Sequence, residues 1–379
     1  MICENCKKNF TQKGQYTKHK NKCIIESKET QIHTTKKELG QFYTTHYNYI
    51  LQNMSIPYDV VDIIEPFAGN GDLLNFLEKD KYNIKCYDID PKQDYIIKQD
   101  TLINPPNLNN AFVITNPPYL ARNKCNDKTL FDKYDTNDLY KCFIQILINS
   151  TCSGGILIIP LNFMCSIRKS DVEIRKKFIE KYDIININIF EEQVFDDTTY
   201  TICSFQFKLK YNDLENNTNC YIYPCKIEFI FSLNSNNNYT IGGEIYNLIQ
   251  NTTYKIERAT KLLKNTQNFT NILVKCIDDS NVNKIGLTIV NDENKNKYID
   301  TTPNLSARSY AILVIDPAID MVLQEKLVND FNKFLNEYRD KYNSLFLSNY
   351  RESNTIARKR ISFVLVYEIC NYLLHHNKE

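Results

Sequence analysis

Short apolar runs alternate with helical patterns from about residue 37 onward, and this alternation constrains the fold more than any other feature of the sequence. It predicts an α/β domain with a parallel sheet flanked by helices. The expected strands are Val60–Ile64, Ile84–Tyr87, Ala111–Thr115, Gly155–Ile159, Ile185–Phe190 and Tyr200–Leu209. The last two are expected to form a hairpin at one edge of the sheet. The expected helices are Leu73–Lys79 and Leu139–Asn149.

Unusual residues follow the expected strands at their carboxyl ends, where parallel sheets bind their ligands. The first strand leads into Glu65-Pro-Phe-Ala-Gly-Asn-Gly-Asp72, whose glycines allow backbone N–H groups to approach a ligand. Asp88 follows the second strand, where a carboxylate can bind ribose hydroxyls, and Asp100 follows a possible third strand. A single Gly-x-Gly is weak evidence, but acidic loops after successive strands are a stronger indication of a cofactor site.

The strand ending at Thr115 runs directly into Asn116-Pro117-Pro118-Tyr119. The two prolines fix φ, remove N–H donors and force an extended turn. Such a turn can place the Asn116 side-chain carbonyl and the Pro117 peptide carbonyl as two acceptors for one amino group. Accepting both hydrogens frees the conjugated lone pair of a nucleobase amine or an amide nitrogen, and Tyr119 offers an aromatic face. A Pro-Pro turn that merely ends a strand is the plain alternative.

The N-terminus carries the spacing of a small zinc module, C-x2-C-x12-H-x3-C. Its candidate ligands are Cys3, Cys6, His19 and Cys23. This set suits tetrahedral zinc, and so short a segment needs the metal to fold. The spacing resembles the classical zinc fingers, with Cys23 in place of the usual last histidine. Its lysines suit phosphate contacts, although contact with a protein is also open.

Bulk composition excludes several classes of protein. Lys and Arg number 46 against 45 Asp and Glu, so net charge does not indicate nucleic acid. The 13 cysteines follow a basic N-terminus without an apolar leader, which favours a reducing intracellular compartment over secretion. No run of about eighteen apolar residues is present, so no membrane span is expected.

Five motifs in one order resemble the adenine-N6 DNA methyltransferases. They are Leu39–Thr45, Glu65–Asp72, Asp88 with Asp100, Asn116–Tyr119, and Val194–Asp197 followed by Thr199–Phe207. The resemblance covers about residues 37–210 and implies a Rossmann-like methyltransferase domain that uses S-adenosylmethionine. Thr45 departs from the proline often found at its position in the family.

The resemblance also assigns roles to single residues. Tyr43 and Thr44 would close over the methionine end of the cofactor. The cofactor would lie along Glu65, Ala68, Gly69 and Gly71, with Asp88 on its ribose and Asp100 on its adenine amine. Tyr119 and Phe195 would stack on the flipped target base. Each carboxylate could instead be a helix N-cap or a turn residue, an alternative that weighs most for Asp72 and Asp90.

The expected organisation is a zinc finger (1–25), a linker (26–36), a methyltransferase domain (37–212) and an α+β region (213–379). In the resembling family, the last region recognises double-stranded DNA. Its expected strands are Ile227–Phe231, Ile285–Val290 and Tyr310–Ile315, and its expected helices are Asp320–Tyr342 and Lys359–Leu374. No nuclease motif is recognisable, so any partner restriction endonuclease would be a separate chain.

Two other functions fit the same motifs. Asn-Pro-Pro-Tyr also serves methyltransferases that act on a protein glutamine amide, and adenine in structured RNA presents the same amine. A DNA-binding protein with an inactive methyltransferase fold is the non-enzymatic alternative. The Leu39–Thr45 element, the zinc spacing and the long C-terminal region favour DNA adenine.

Overall fold

The computed structural model describes most of the chain from Thr44 onward and a few positions before it. The described residues are 2–3, 9, 11, 15–16, 19, 44–195, 200–211, 217–250, 253–260, 263, 268–279, 284–299, 309–350 and 358–376. The chain forms two compact units. The first comprises residues 1–49, 57–152 and 195–198, and the second comprises 50–56, 153–194 and 199–379.

The first unit contains four parallel strands in the order β3-β2-β1-β4. They are β1 (Asp62–Glu65), β2 (Asn83–Asp88), β3 (Ile97–Lys98) and β4 (Phe112–Thr115). Ile63 on the central strand β1 pairs with Ile84 on one side and Phe112 on the other. All four residues of β4 are buried, as its unbroken apolar sequence predicts for a strand covered on both faces. The expected parallel sheet with an α/β composition is confirmed here.

Helices of the first unit are α1 (Tyr47–Ile50), which reaches the boundary with the second unit, α2 (Thr129–Tyr134) and α3 (Leu139–Asn149). The bounds of α3 are those predicted, because eight of its eleven residues are buried. The expected helix Leu73–Lys79 is wrong: this stretch begins as the 3₁₀ helix Asp72–Phe76. Leu77 already has an extended backbone, and the charged run after it offers no apolar face on which a helix could continue. Two further 3₁₀ turns span Lys79–Lys81 and Arg122–Lys124.

The larger sheet segment of the second unit has the strand order β5-β7-β6-β8-β9. Its strands are β5 (Gly154–Pro160), β6 (Tyr182–Phe190), β7 (Ile202–Leu209), β8 (Asn217–Tyr223) and β9 (Ile227–Ser232). Strands β6 and β7 pair antiparallel, as expected, but the hairpin is not at an edge. Strand β7 lies between β5 and β6, and β6 pairs in parallel with β8. Ile202–Phe207 is buried throughout, which suits an interior strand.

A polar stripe on β6 and β7 binds the segment Ile50–Ile56, which begins at the last residue of α1 and which we call the strap. Asn188 Nδ2 and Ser204 Oγ donate to the Ile50 carbonyl over 3.2 and 2.5 Å. Gln206 donates to the Ser55 carbonyl (2.9 Å) and accepts from the Ser55 N–H (3.2 Å). Buried amides and hydroxyls therefore satisfy a backbone that has no strand partner for those groups.

The rest of the second unit combines two small sheets with helices. The four-stranded sheet, ordered β10-β13-β11-β12 and antiparallel, contains β10 (Lys255–Arg258), β11 (Phe269–Lys275), β12 (Gly286–Ile289) and β13 (Tyr310–Asp316). A ribbon pairs β14 (Ser348–Tyr350) with β15 (Arg358–Arg360). The helices are α4 (Asn162–Cys165), α5 (Lys169–Lys181), α6 (Asp292–Lys295), α7 (Met321–Tyr342) and α8 (Phe363–His376).

Helix α7 confirms the helix expected over Asp320–Tyr342. Asp320 caps it by accepting the Leu323 N–H at 2.8 Å. Leu327 and Phe331 form the centre of its buried side, whereas Val322 in the first turn is 76% exposed. Within the described part of the chain, none of the helices combines the length and apolarity needed to cross a bilayer.

Candidate cofactor and amine site

A cavity of about 240 Å³ lies within the first unit, at the carboxyl ends of its parallel strands. Its wall contains five carboxylates, which belong to Glu65, Asp72, Asp88, Asp100 and Asp127. Apolar side chains complete much of the wall, among them Ile89, Leu120, Leu130, Phe131 and Leu139. A cavity that combines carboxylates with apolar surface suits a ligand with both cationic and flat apolar parts.

The glycine turn after β1 is held in place by Asp88 at the end of β2. Asp88 Oδ2 accepts the Gly69 N–H at 2.8 Å, and its Oδ1 accepts the Asp90 N–H at 2.8 Å. Gly69 and Gly71 have φ values of 54° and 82°, in the left-handed region that favours glycine. Gly69 and Ala68 line the cavity, whereas Gly71 shapes the turn behind it. Asp88 therefore braces the turn that its proposed ligand would contact.

Glu65 is the most electrostatically perturbed group of the cavity. Its side chain is 1% exposed, and burial, followed by the charges of Asp72 and Asp88, raises its pKa well above the usual range. Glu65 Oε2 and Asp72 Oδ2 are buried without a hydrogen-bond partner. Buried acceptors of this kind are costly unless a ligand pairs with them.

The loop after β3 is fixed by its own polar side chains. Asp100 Oδ1 accepts the N–H groups of Leu102 and Ile103 at 2.9 and 3.2 Å. Thr101 Oγ1 donates to the Pro66 carbonyl at 2.7 Å, which ties this loop to the glycine turn. The second oxygen of Asp100 is the one that could accept from a ligand, since Oδ1 already caps the loop.

Asn116 lies on the wall of the same cavity, together with Pro118 and Thr44. Its Nδ2 donates to Thr44 Oγ1 at 3.1 Å, and the Tyr119 hydroxyl donates to its Oδ1. The structure thus brings together the start of the proposed cofactor motifs and the Asn-Pro-Pro-Tyr turn. The bond between Thr44 and Asn116 cannot be predicted from residue spacing, because 72 positions separate the two residues.

The two aromatic side chains expected to stack on a base are buried. Tyr119 is 2% exposed and contacts Tyr140 edge to face, with centroids 6.2 Å apart, and Phe195 is 5% exposed. Neither ring lines the cavity. An open aromatic sandwich is therefore not formed in this conformation.

Sequence reasoning missed Asp138, the residue before α3. Its Oδ1 accepts the Leu120 N–H at 3.1 Å, and Leu139 N–H donates to the Leu120 carbonyl at 3.2 Å. These bonds fasten the segment after Asn116–Tyr119 to the start of α3. Burial raises the pKa of Asp138 to about 6, against the opposing charge of Lys141. Its position as the residue before an apolar helical run was the available signal.

Part of the predicted site lies outside the described residues, namely Tyr43, Cys6 and Cys23. Of the expected zinc module, Cys3 is buried, Ile2 pairs with Asn9 across an antiparallel bridge, and Tyr16 is helical. Among the described residues, no group of His, Cys, Asp or Glu is arranged to hold a metal ion. The four-ligand set stays a prediction.

Parallel strands, a left-handed glycine turn and an acidic cavity at the strand ends define the class of α/β domains that bind nucleotide-type cofactors. Residues 7–195 match the sequence model of the Eco57I restriction-modification methylase family. No curated protein matches the chain in sequence.

Solved structures to which the chain is similar include several restriction-modification proteins. The methyltransferase subunit of a type I system from Streptococcus thermophilus is 14% identical, with a TM-score of 0.37, over 48% of this chain and 47% of that one. The M protein of the type I enzyme EcoKI is 15% identical, with a TM-score of 0.37, over 79% and 72%. The DrdV protein of a DrdV–DNA complex is 14% identical, with a TM-score of 0.42, over 64% and 35%. The chain thus spans about half the length of the Streptococcus subunit and about a third of DrdV.

Proposed function

We propose that the chain transfers a methyl group from S-adenosylmethionine to N6 of a flipped-out adenine in double-stranded DNA. The observation that carries the proposal is the position of Asn116 on the wall of the acidic cavity. A methyl donor in that cavity and an amine on Asn116 would be neighbours. The match of residues 7–195 to restriction-modification methylases supports the same chemistry.

The residues of the cavity fit this cofactor. Its sulfonium and amino groups are cationic, and the unpaired oxygens of Glu65 and Asp72 are acceptors without a counter-charge. Asp88 would hold the ribose, and the second oxygen of Asp100 would accept the adenine amine. Apolar side chains such as Ile89 offer surface to the adenine ring. When bound, the cofactor supplies an activated methyl group.

Asn116 and Pro117 would activate the target amine. The Asn116 carbonyl oxygen has two lone pairs, so it can accept one amine hydrogen beside the Tyr119 hydroxyl. The Pro117 carbonyl would accept the second hydrogen, which draws the nitrogen lone pair out of conjugation. These fixed acceptors also favour the positive charge that develops on the nitrogen. Pro118 keeps the turn extended.

The target base must leave the duplex to reach this site. Tyr119 and Phe195 would then stack on it, which requires the side chains that cover both rings in this structure to move aside while the Tyr119 hydroxyl stays on Asn116. The α+β region, residues 213–379, would recognise the DNA sequence. A zinc finger formed by Cys3, Cys6, His19 and Cys23 would add phosphate contacts. A separate restriction endonuclease is the partner that this activity would pair with.

The direct test is expression in cells that lack adenine methylation, followed by sequencing of native DNA for modified adenines. We expect N6-methyladenine within one short motif, and its absence in cells that express Asn116→Ala. The purified variant should keep nearly normal affinity for S-adenosylmethionine. Methylation of RNA or of a protein glutamine amide, with none in DNA, would replace DNA adenine as the substrate. Turnover retained by Asn116→Ala would refute the role of Asn116.

A further inference from the structure

Both ends of the Asn116 amide are hydrogen-bonded to hydroxyl groups. Thr44 Oγ1 accepts from Nδ2 at 3.1 Å, and the Tyr119 hydroxyl donates to Oδ1. Asn116 and Thr44 are 9% and 3% exposed, so water competes little for these bonds. The oxygen and nitrogen ends of a side-chain amide have nearly the same shape. Hydrogen-bond partners, rather than packing, therefore decide which end faces which way.

The two hydroxyls are chemically unequal, and their difference selects one orientation. A phenol is the stronger donor, because its proton is far more acidic than that of an alcohol, and conjugation weakens its oxygen as an acceptor. Tyr119 therefore prefers the carbonyl end of the amide. The aliphatic hydroxyl of Thr44 is a good acceptor and suits the NH₂ end. A reversed amide would place its NH₂ group against the phenol and its carbonyl against the Thr44 hydroxyl, so that each hydroxyl would meet the less suitable partner.

The orientation matters for the proposed chemistry. The target amine brings two N–H donors to Asn116, so the amide must present oxygen to it. A reversed amide would present NH₂ to an amine, which is repulsive and removes the acceptor that frees the lone pair. We propose that Thr44 and Tyr119 form an orienting pair that fixes the Asn116 amide, and that Thr44 is a positioning residue for methyl transfer. This inference rests on the proposed function.

Thr44 also lines the cofactor cavity, so its two roles must be separated. Thr44→Val keeps the shape and removes the hydroxyl, whereas Thr44→Ser keeps the hydroxyl and removes the methyl group. We expect Thr44→Val to slow the single-turnover rate about 10- to 100-fold, as misplacement of a reacting group does. Its affinity for S-adenosylmethionine, measured by calorimetry, should change less than about threefold. Thr44→Ser should restore most of the rate.

Tyr119→Phe provides the second measurement, because phenylalanine keeps the ring and loses only the donor. Stacking alone would leave the rate of this variant unchanged, whereas the orienting pair predicts a loss of about tenfold or more. Thermal unfolding without cofactor supplies a readout that needs no turnover. Thr44→Val should unfold at a lower temperature than both the wild type and Thr44→Ser.

The outcomes separate the two proposals. A wild type that methylates no DNA refutes the proposed function, and the unfolding temperatures still test the orienting pair. An active wild type with an equally active Thr44→Val or Tyr119→Phe refutes the orienting pair alone. The inference also fails if Thr44→Ser is as slow as Thr44→Val, or if all the Thr44 variants unfold at the same temperature as the wild type.

Discussion

Replacement of Glu65 by Gln should change folding stability and cofactor affinity in opposite directions. The Glu65 side chain is 1% exposed, its Oε2 has no hydrogen-bond partner, and the charges of Asp72 and Asp88 oppose its ionisation. A buried, unpaired acceptor costs roughly 1–3 kcal/mol. A glutamine amide is neutral at every pH, and its NH₂ group can donate to the neighbouring carboxylates. We therefore expect the free energy of unfolding at neutral pH to rise by roughly 1–3 kcal/mol.

Cofactor affinity should fall in the same variant. A hydrogen bond to a charged group contributes roughly 1.5–3 kcal/mol, which corresponds to a loss of about 10- to 150-fold in affinity. A cationic ligand favours the ionised form of Glu65, whose pKa is raised in the empty cavity. Binding at pH values below that raised pKa should therefore release a proton, and Glu65→Gln should abolish this release.

The pH dependence of stability follows from the same raised pKa. Folded Glu65 keeps its proton to a higher pH than unfolded Glu65 does. Its contribution to the free energy of unfolding is therefore most favourable below the unfolded pKa. The stability of the wild type should fall as the pH rises from the unfolded pKa through the folded one. Glu65→Gln should lack this contribution.

Urea unfolding over a pH series and calorimetric titration with S-adenosylmethionine measure both effects. Glu78→Gln is the matched control, because Glu78 is exposed on the surface and pairs with Lys81. Its stability and its affinity should stay close to those of the wild type. A Glu65→Gln protein that is less stable at neutral pH, or that binds the cofactor as tightly as the wild type, would refute the reasoning.

Three further changes test other parts of the site. Gly71→Ala should lower the free energy of unfolding by about 1–2 kcal/mol, because φ is +82° and the new Cβ would lie 2.4 Å from the Tyr95 hydroxyl; adding Tyr95→Phe should recover only the steric part in thermal unfolding. The raised pKa of Asp138, about 6, predicts that the stability of the wild type falls as the pH rises from about 4 to 6. Asp138→Asn should keep the bond to the Leu120 N–H but lose this pH dependence in urea unfolding. Cys3→Ser should abolish the zinc that elemental analysis is expected to find in the wild type.

The sequence predicted elements well where burial is continuous. Helix α3 and strand β4 are apolar on nearly all sides, so periodicity and composition locate them without knowledge of their neighbours. Leu73–Lys79 has an apolar start but is preceded by a left-handed glycine turn, and the local geometry there favours a 3₁₀ turn. Local pattern therefore identified the elements more reliably than their exact type.

Some residues of the candidate site could be predicted from the sequence, and others could not. Asp88 and Asn116 could be selected by their positions after strands, whereas their partners could not. Asp88 braces Gly69, and Asn116 reaches Thr44, only because the chain folds back on itself. The burial of Tyr119 likewise depends on Tyr140, which carries no recognisable motif. Spacing therefore predicts which groups carry chemistry, but not which groups hold them.

The strap, Ile50–Ile56, has a consequence for how this chain can diverge. Its contacts with β6 and β7 are mainly through peptide carbonyls, which every residue type supplies, and through the Ser55 N–H, which every type except proline supplies. Ile50, Leu51 and Met54 are buried in the core, so their side chains must stay apolar, whereas the exposed side chain of Ser55 is free to vary. One inserted or deleted residue would move the carbonyls out of reach of their amide and hydroxyl partners. Asn53 is the exception, since its own side chain bonds to Asn188 and its φ is +64°. Among relatives, the exposed residue types of the strap should therefore vary, whereas its number of residues should stay constant.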